Sequence, residues 1–238
     1  MNILALDSSG AVASVAVFCD GRIRGEYSLK HKLTHSQTIM PMMEEMCKRA
    51  EYDIAATDVI AVAAGPGSFT GLRIGAAAAK GMAFALGVKI MPVPTLEGLS
   101  YRFWGVPSLI CPMMDARRSQ VYSGIYRFEG GSLKTVREGE ALALEEQLKR
   151  LKAAEGEVVF LGDGVDVHLD AIRNSLGDRC VIAPGHRRYQ SAACIAQYAA
   201  DKLTEGVPAV AAEDFAPEYL RRSQAERERE ERLSGVNS

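Results

Sequence analysis

Short apolar runs alternate with stretches of helical period along most of the chain. Residues 3–6 form an apolar run that stops at Asp7-Ser8-Ser9-Gly10, the pattern of a strand entering a turn. Residues 12–18 predict a second strand, Cys19-Asp20-Gly21 a hairpin turn, and residues 22–29 a third strand. Ser36 is placed to cap a helix over about 36–50, where Ile39, Met43, Met46 and Cys47 recur at helical spacing. Pro41 lies past the first turn and predicts an irregular or kinked start. A buried strand over 59–64, an alanine-rich helix over 70–86, a strand over 89–93 and a helix over 95–103 follow.

The second half repeats this order. Residues 108–114 predict a strand ending at Asp115, and 120–128 and 133–136 two more around Gly130-Gly131. A helix over 141–152, a strand over 158–161 ending at Gly162-Asp163-Gly164, a helix over 167–175, a short strand over 180–182 and a helix over 191–203 complete it. Each half thus reads strand, strand, strand, helix, strand, helix, strand, with an Asp closing its first strand, Asp7 and Asp115. That order matches the duplicated α/β fold of actin, Hsp70 and the sugar kinases (ribonuclease H-like). Two subdomains there, each a mixed sheet with flanking helices, hold a nucleotide between them. The predicted division is 1–104, a smaller 105–217 whose last helix could pack back on the first subdomain, and a charged tail over 218–238.

Composition narrows the function. The 238 residues are 47% hydrophobic and 24% charged, enough apolar content for a real core. The formal charge of −2 argues against gripping a nucleic acid unaided, because phosphate neutralisation supplies most such affinity. No apolar stretch reaches the ~18 residues of a membrane span; the longest, over 74–88, contains Lys80. The first residues lack a basic, signal-like segment, so a cytoplasmic location is expected. Five scattered cysteines without a C-x-x-C pair fit buried free thiols in a reducing compartment. The mixed charges from Arg221 to Arg232 read as a solvated helix or frayed tail, or as a docking tail.

Candidate chemistry centres on Gly65-Pro66-Gly67, which follows a buried strand and leads into a helix. Glycines there permit close backbone approaches, and a helix start offers free N–H groups to an anion. Asp7, Ser8, Ser9, Gly65, Gly67, Ser68 and Thr70 are the candidate anion or nucleotide contacts. The standard signatures fail: there is no Gly-Lys-Ser/Thr, and Thr70 stands where a dinucleotide loop has its third glycine. A tight strand-to-helix turn explains the segment equally well. His31 and His35 share an i, i+4 spacing, but no acid accompanies them, and no metal is expected. Ser68 and Thr70 lack a linked His/Asp set, and Gly67-Ser68-Phe69 is no nucleophile elbow, so peptidase chemistry is not expected.

The whole segment Gly65-Pro66-Gly67-Ser68-Phe69-Thr70-Gly71-Leu72-Arg73-Ile74-Gly75, with Ala79-Lys80-Gly81, closely resembles the TsaB (YeaZ) family. Leu6-Asp7-Ser8-Ser9, His35-Ser36, Pro94-Thr95-Leu96-Glu97, Asp115-Ala116-Arg117-Arg118 with Val121-Tyr122, and more weakly Glu218-Tyr219-Leu220-Arg221 extend the likeness. The resemblance implies a noncatalytic subunit that pairs with a catalytic TsaD-like paralogue and is joined by a TsaE-like ATPase. The complex transfers threonylcarbamoyl to adenosine 37 of tRNA, so tRNA is met only through the complex. In the catalytic paralogue a metal-binding His-x-x-x-His follows the equivalent of Pro94. Here those positions are Thr95 and Leu99, neither a useful ligand.

The resemblance also implies pairing through the first two helices, as a homodimer in isolation. The residues singled out are Ile39, Met40, Met43 and Met46 on the first, and Gly71, Leu72, Gly75, Ala78, Ala79 and Met82 on the second. The plainer alternative is that both stripes face their own sheet. No cofactor is expected on the chain alone, with ATP or ADP at a shared interface in the complex. The alternative function is an ATP-dependent small-molecule kinase of the same superfold.

Overall fold

The computed structural model describes residues 1–31 and 34–220. The charged segment from Arg221 to Arg232 lies outside the described residues.

The two halves share one plan. The first runs β1 (Asn2–Asp7), β2 (Ala13–Cys19), β3 (Arg22–Leu29), α1 (His35–Arg49), β4 (Val59–Gly65), α2 (Phe69–Leu86) and β5 (Lys89–Pro94). After α3 (Thr95–Ser100), the second runs β6 (Leu109–Asp115), β7 (Gln120–Glu129), β8 (Ser132–Ala143), α4 (Leu144–Ala153), β9 (Val158–Leu161), α5 (Asp163–Leu176) and β10 (Cys180–Ile182). The short α6 (Gly185–Arg188) and α7 (Ala192–Thr204) follow. The sheets have the orders β3-β2-β1-β4-β5 and β8-β7-β6-β9-β10, so each strand has a counterpart in the other half. In each, the first three strands are antiparallel and the last two join in parallel.

Three apolar clusters define the layering. Helices α1 and α2 cover the outer face of the first sheet, where Met43, Met46, Ala79 and Met82 meet Leu4, Leu6, Val15 and Ile60. Helices α4 and α5 cover the outer face of the second sheet through Leu148, Leu151, Val165 and Ile172. The inner faces of both sheets share one core with α3 and α7, through residues such as Leu96, Leu99, Ile195 and Ala199. Strands β1, β4 and β6 are covered on both faces, which is why their sequences are continuous apolar runs rather than alternating ones.

Several predicted details change. Helix α1 passes through Pro41 as a single helix from His35, with Thr34 rather than Ser36 at its N-cap. Strand β8 runs to Ala143, so residues 141–143 are strand and not helix: its long pairing with β7 overrides the local helical preference. Helix α5 starts at Asp163, directly after the Gly162 turn. Glu218 and Tyr219, assigned to the tail by their sequence, are packed. The Glu218 N–H donates to Ala64 O at 2.7 Å, and the Tyr219 ring lies 4.8 Å from that of Phe69.

Helix α7 is fastened to the first sheet by a carboxylate. Glu26 Oε1 accepts from Ser191 Oγ at 2.6 Å and from the Ala193 N–H at 3.3 Å, while Ser14 Oγ accepts from the Ala192 N–H at 2.8 Å. A negative charge at a helix N-terminus satisfies unpaired N–H groups and complements the dipole. Glu26→Ala is therefore expected to cost about 1–3 kcal/mol, and Glu26→Gln less, because the amide oxygen still accepts. Urea unfolding curves of the two variants check this, and equal midpoints for wild type and Glu26→Ala would remove the clamp from the account.

Candidate functional site

The turn after β1 and the start of α2 are built against each other. Ser8 Oγ donates to Gly71 O at 2.8 Å, and the Ser68 N–H donates to Ser9 O at 2.7 Å. That approach requires glycine on the α2 side. A Cβ on Gly71 would lie 2.0 Å from Ser8 O, one on Gly67 2.5 Å from Ser9 O, and one on Gly75 2.5 Å from Ser8 Oγ. Gly65 has φ +127°, and a Cβ there would meet Glu218 O at 2.1 Å. The glycines of the segment thus serve close packing between a turn, a helix start and the returning C-terminal segment.

The second half repeats the device at the equivalent junction. Gly162, at φ +100°, and Gly164 press against the end of β6, where added Cβ atoms would lie 2.2 and 2.9 Å from Met113 O. The following turn differs. Arg117, Arg118 and Ser119 adopt φ values of +62°, +53° and +57°, a run of left-handed residues without glycine. Each carries a conformational cost of order 1–3 kcal/mol. Both arginine side chains are exposed beside Asp115, whose Oδ1 accepts from the Arg117 N–H.

Of the predicted anion contacts, the structure closes most. Asp7, Ser8 and Ser9 are buried, and Asp7 Oδ1 accepts from the Ser9 N–H at 2.8 Å and Ser9 Oγ at 2.6 Å. Gly65 is buried as well, and its N–H donates to Thr95 Oγ1 at 3.2 Å. The Ser8 and Ser9 hydroxyls and the Ser9 N–H are therefore engaged within the chain rather than turned to a ligand. Burial raises the Asp7 carboxyl above its ordinary range despite the Ser9 bonds and nearby His35. Asp163, across the cleft, is raised by burial in the same way.

Ser68 and Thr70 remain open. With Lys30, His31 and His35 they line a cavity of about 690 Å³. His35 Nε2 donates to Gly10 O at 2.8 Å, which commits one of that ring's nitrogens. Ser68 Oγ accepts from the Gly71 N–H and so caps α2 instead of standing as a free nucleophile. Thr95 is occupied by Gly65, and Leu99 lies in the shared core, so the positions of the paralogue's histidine pair are spent on packing. Among the described residues, no three His, Cys, Asp or Glu are grouped to hold a metal.

The predicted pairing stripe needs correction. Ile39, Met43, Met46, Ala79 and Met82 are buried against their own sheet, Leu72 is buried as well, and Gly71 and Gly75 lie against the β1 turn. Only Met40 is well exposed and Ala78 partly so. The outward face of α2 was missed: Arg73, Ala77, Gly81, Phe84 and Ala85 are exposed, Phe84 to 86%. Its signal was present in the sequence, a phenylalanine out of phase with the buried Leu72, Ala76, Ala79 and Ala83.

Two like-built halves with a cleft between them define a member of the actin, Hsp70 and sugar-kinase class of fold. The chain superposes with a TM-score of 0.50, at 11% identity, on component A of an Acidaminococcus fermentans 2-hydroxyglutaryl-CoA dehydratase, a likeness of fold alone. It is more similar to YeaZ from Pseudomonas aeruginosa, with a TM-score of 0.77 at 26% identity, covering 92% of this chain and 99% of that one. A second Pseudomonas aeruginosa structure, described as similar to the peptidase YeaZ, gives 0.78 at 27% identity over the same shares. The TsaD family model, tRNA N6-adenosine threonylcarbamoyltransferase, matches residues 29–229. The tRNA threonylcarbamoyladenosine biosynthesis protein TsaB of Bacillus subtilis is 33% identical over 95% of this chain and 96% of its own length. The Escherichia coli TsaB is 29% identical over 94% and 96%. The chain belongs to the TsaB family, and its role lies in the biosynthesis of threonylcarbamoyladenosine on tRNA. Among the described residues, no helix is long and apolar enough to cross a membrane.

Two outcomes test this geometry. Gly71→Ala forces the Ser8 carbonyl aside and is expected to lower stability by about 1–3 kcal/mol. Gly81→Ala, with no atom within 4 Å of the new Cβ, should raise it by about 0.5–1 kcal/mol; chemical denaturation of both variants reads the contrast. The second outcome concerns pH. Because burial raises Asp7, the folded state keeps that proton to higher pH than the unfolded chain does. The corresponding stability is present below the unfolded value, about 4, and falls as pH rises through the folded one. Asp7→Asn should therefore gain stability relative to wild type between about pH 4 and neutrality. A difference that stays flat across that range would contradict the raised carboxyl.

Proposed function

We propose that this chain is the noncatalytic pairing subunit of the machinery that transfers threonylcarbamoyl to N6 of adenosine 37 in tRNA. It works by engaging a TsaD-like catalytic paralogue through the outward faces of α1 and α2, and a TsaE-like ATPase joins the pair. In isolation the same faces pair two copies of the chain, and tRNA is met through the complex. The single observation that carries the reading is Phe84, 86% exposed on α2. It stands within one to two turns of exposed Gly81 and Ala77, so an aromatic knob adjoins a track of small side chains. Such a track lets a partner helix approach closely, and covering the ring recovers roughly 1.5–3 kcal/mol.

The noncatalytic part is supported by Thr95, Leu99 and Ser68, whose side chains are taken up by the Gly65 N–H, the shared core and the α2 cap. An ATP or ADP phosphate at the shared interface fits the open cavity beside Ser68, Thr70 and Lys30, and not the closed Asp7 turn. That closure also weighs against a small-molecule kinase.

Phe84→Glu tests the contact without touching the core. It should abolish co-elution with the TsaD-like partner while leaving thermal unfolding unchanged. Pairing at wild-type affinity would exclude the α2 face. Ala79→Glu cannot serve, since it places a charge at a fully buried position. Cells depleted of the chain should lose threonylcarbamoyladenosine from their tRNA.

A further inference from the structure

A second cavity, of about 480 Å³, opens at the far end of α7, away from the Asp7 turn. Its walls are Tyr101 and Trp104 from the segment after α3, the β7–β8 turn, and Gln197, Asp201 and Glu205 from α7. The last three are spaced i, i+4, i+8 and so share one helix face. The Trp104 indole is 56% exposed, with one side held by Phe128 at 6.2 Å between ring centroids. Gly131, at φ +83°, lets the β7–β8 turn come close to that ring, with a Cβ position 3.7 Å from Trp104 Cζ2. Nothing in the pairing role uses these groups.

The acids here are in an unfavourable place. Asp201 and Glu205 are like charges one turn apart, and they sit at a helix C-terminus, where the dipole favours cations. Asp201 is held in position: Oδ2 accepts from Tyr101 Oη at 3.0 Å, and Oδ1 from Gln197 Nε2 at 2.8 Å. Lys202 Nζ pairs with Glu205 Oε2 at 2.8 Å, so Glu205 is partly neutralised and Asp201 is the acid of the cavity without a cationic partner in that pair. Burial first, and then the neighbouring Asp201, Glu205 and Glu97, push the Tyr101 hydroxyl well above its ordinary range, so it stays a donor to Asp201. An oriented carboxylate, a second carboxylate shared with Lys202 and an exposed indole line one cavity, a combination whose chemistry suits an organic cation.

We propose that the cavity bounded by Tyr101, Trp104, Gln197, Asp201 and Glu205 is a binding site for a guanidinium or ammonium group, held by the carboxylates beside the indole face. The group could be carried by a polypeptide side chain or by a free polyamine; the chemistry recognised is the same. A planar guanidinium suits both the ring face and a carboxylate.

Trp104 is the sole tryptophan of the chain, so its fluorescence reports on this site alone. The experiment titrates the full-length protein with Nα-acetyl-arginine amide, with spermidine and with the neutral isostere Nα-acetyl-citrulline amide, at constant ionic strength. A saturable change with the arginine compound and not with spermidine assigns a side-chain guanidinium. Saturation by spermidine assigns a free polyamine. Asp201→Asn, which still accepts from Tyr101, and the exposed Glu205→Gln should each raise the half-saturation concentration about tenfold. Their melting temperatures should stay close to wild type. A response shared by the citrulline compound, an unsaturable drift, or wild-type binding in both variants would overturn the proposal.

Discussion

The close approach of α2 to the turn after β1 is the constraint on which the first half depends. With Ser8 O at 2.0 Å from where a Gly71 side chain would begin, and Ser9 O at 2.5 Å from the same position at Gly67, the turn and helix share space that only hydrogen occupies. That contact fixes the start of α2, and the start of α2 sets which residues face the sheet. It also takes up the Ser8 hydroxyl and the Ser9 carbonyl. The same economy recurs at Gly162 and Gly164 against Met113, so the duplication is one of packing as well as of strand order.

Closing the Asp7 turn moves the remaining reactive potential outward. What stays accessible is the cavity beside Ser68 and Thr70, the exposed arginines of the second turn, and the outer faces of α1 and α2. Each is a surface that another chain can complete. The inner layer between the two sheets is filled by α3 and α7, with α7 clamped to the first sheet by Glu26. The physical outcome is a filled interior with the remaining open chemistry at its edges.

The element order, the two Asp positions and most element positions were legible because the central strands β1, β4 and β6 are covered on both faces. Doubly covered strands give unbroken apolar runs such as Ile3 to Leu6, and glycine turns punctuate them. The site was less legible. A glycine demanded by backbone approach and a glycine demanded by a phosphate look alike in one sequence, and Gly65–Gly67 fits both. The Met-rich stripe of α1 was misassigned for a related reason: periodicity identifies a shared face but not whether a sheet or a partner covers it. Strand β8 outran its predicted end because pairing with β7, a long-range interaction, set its length.

By itself the sequence determined the duplicated α/β plan, the family marker at Gly65–Gly75, and the absence of histidines at Thr95 and Leu99. These depend on local pattern and on residue identity, which no later step alters. Tertiary structure alone decided that Asp7, Ser8 and Ser9 are closed, and that Trp104, Asp201 and Glu205 line one cavity. Those facts rest on contacts between segments as much as 100 residues apart, such as Tyr101 with Asp201. Only the folded chain brings them within a hydrogen bond of each other.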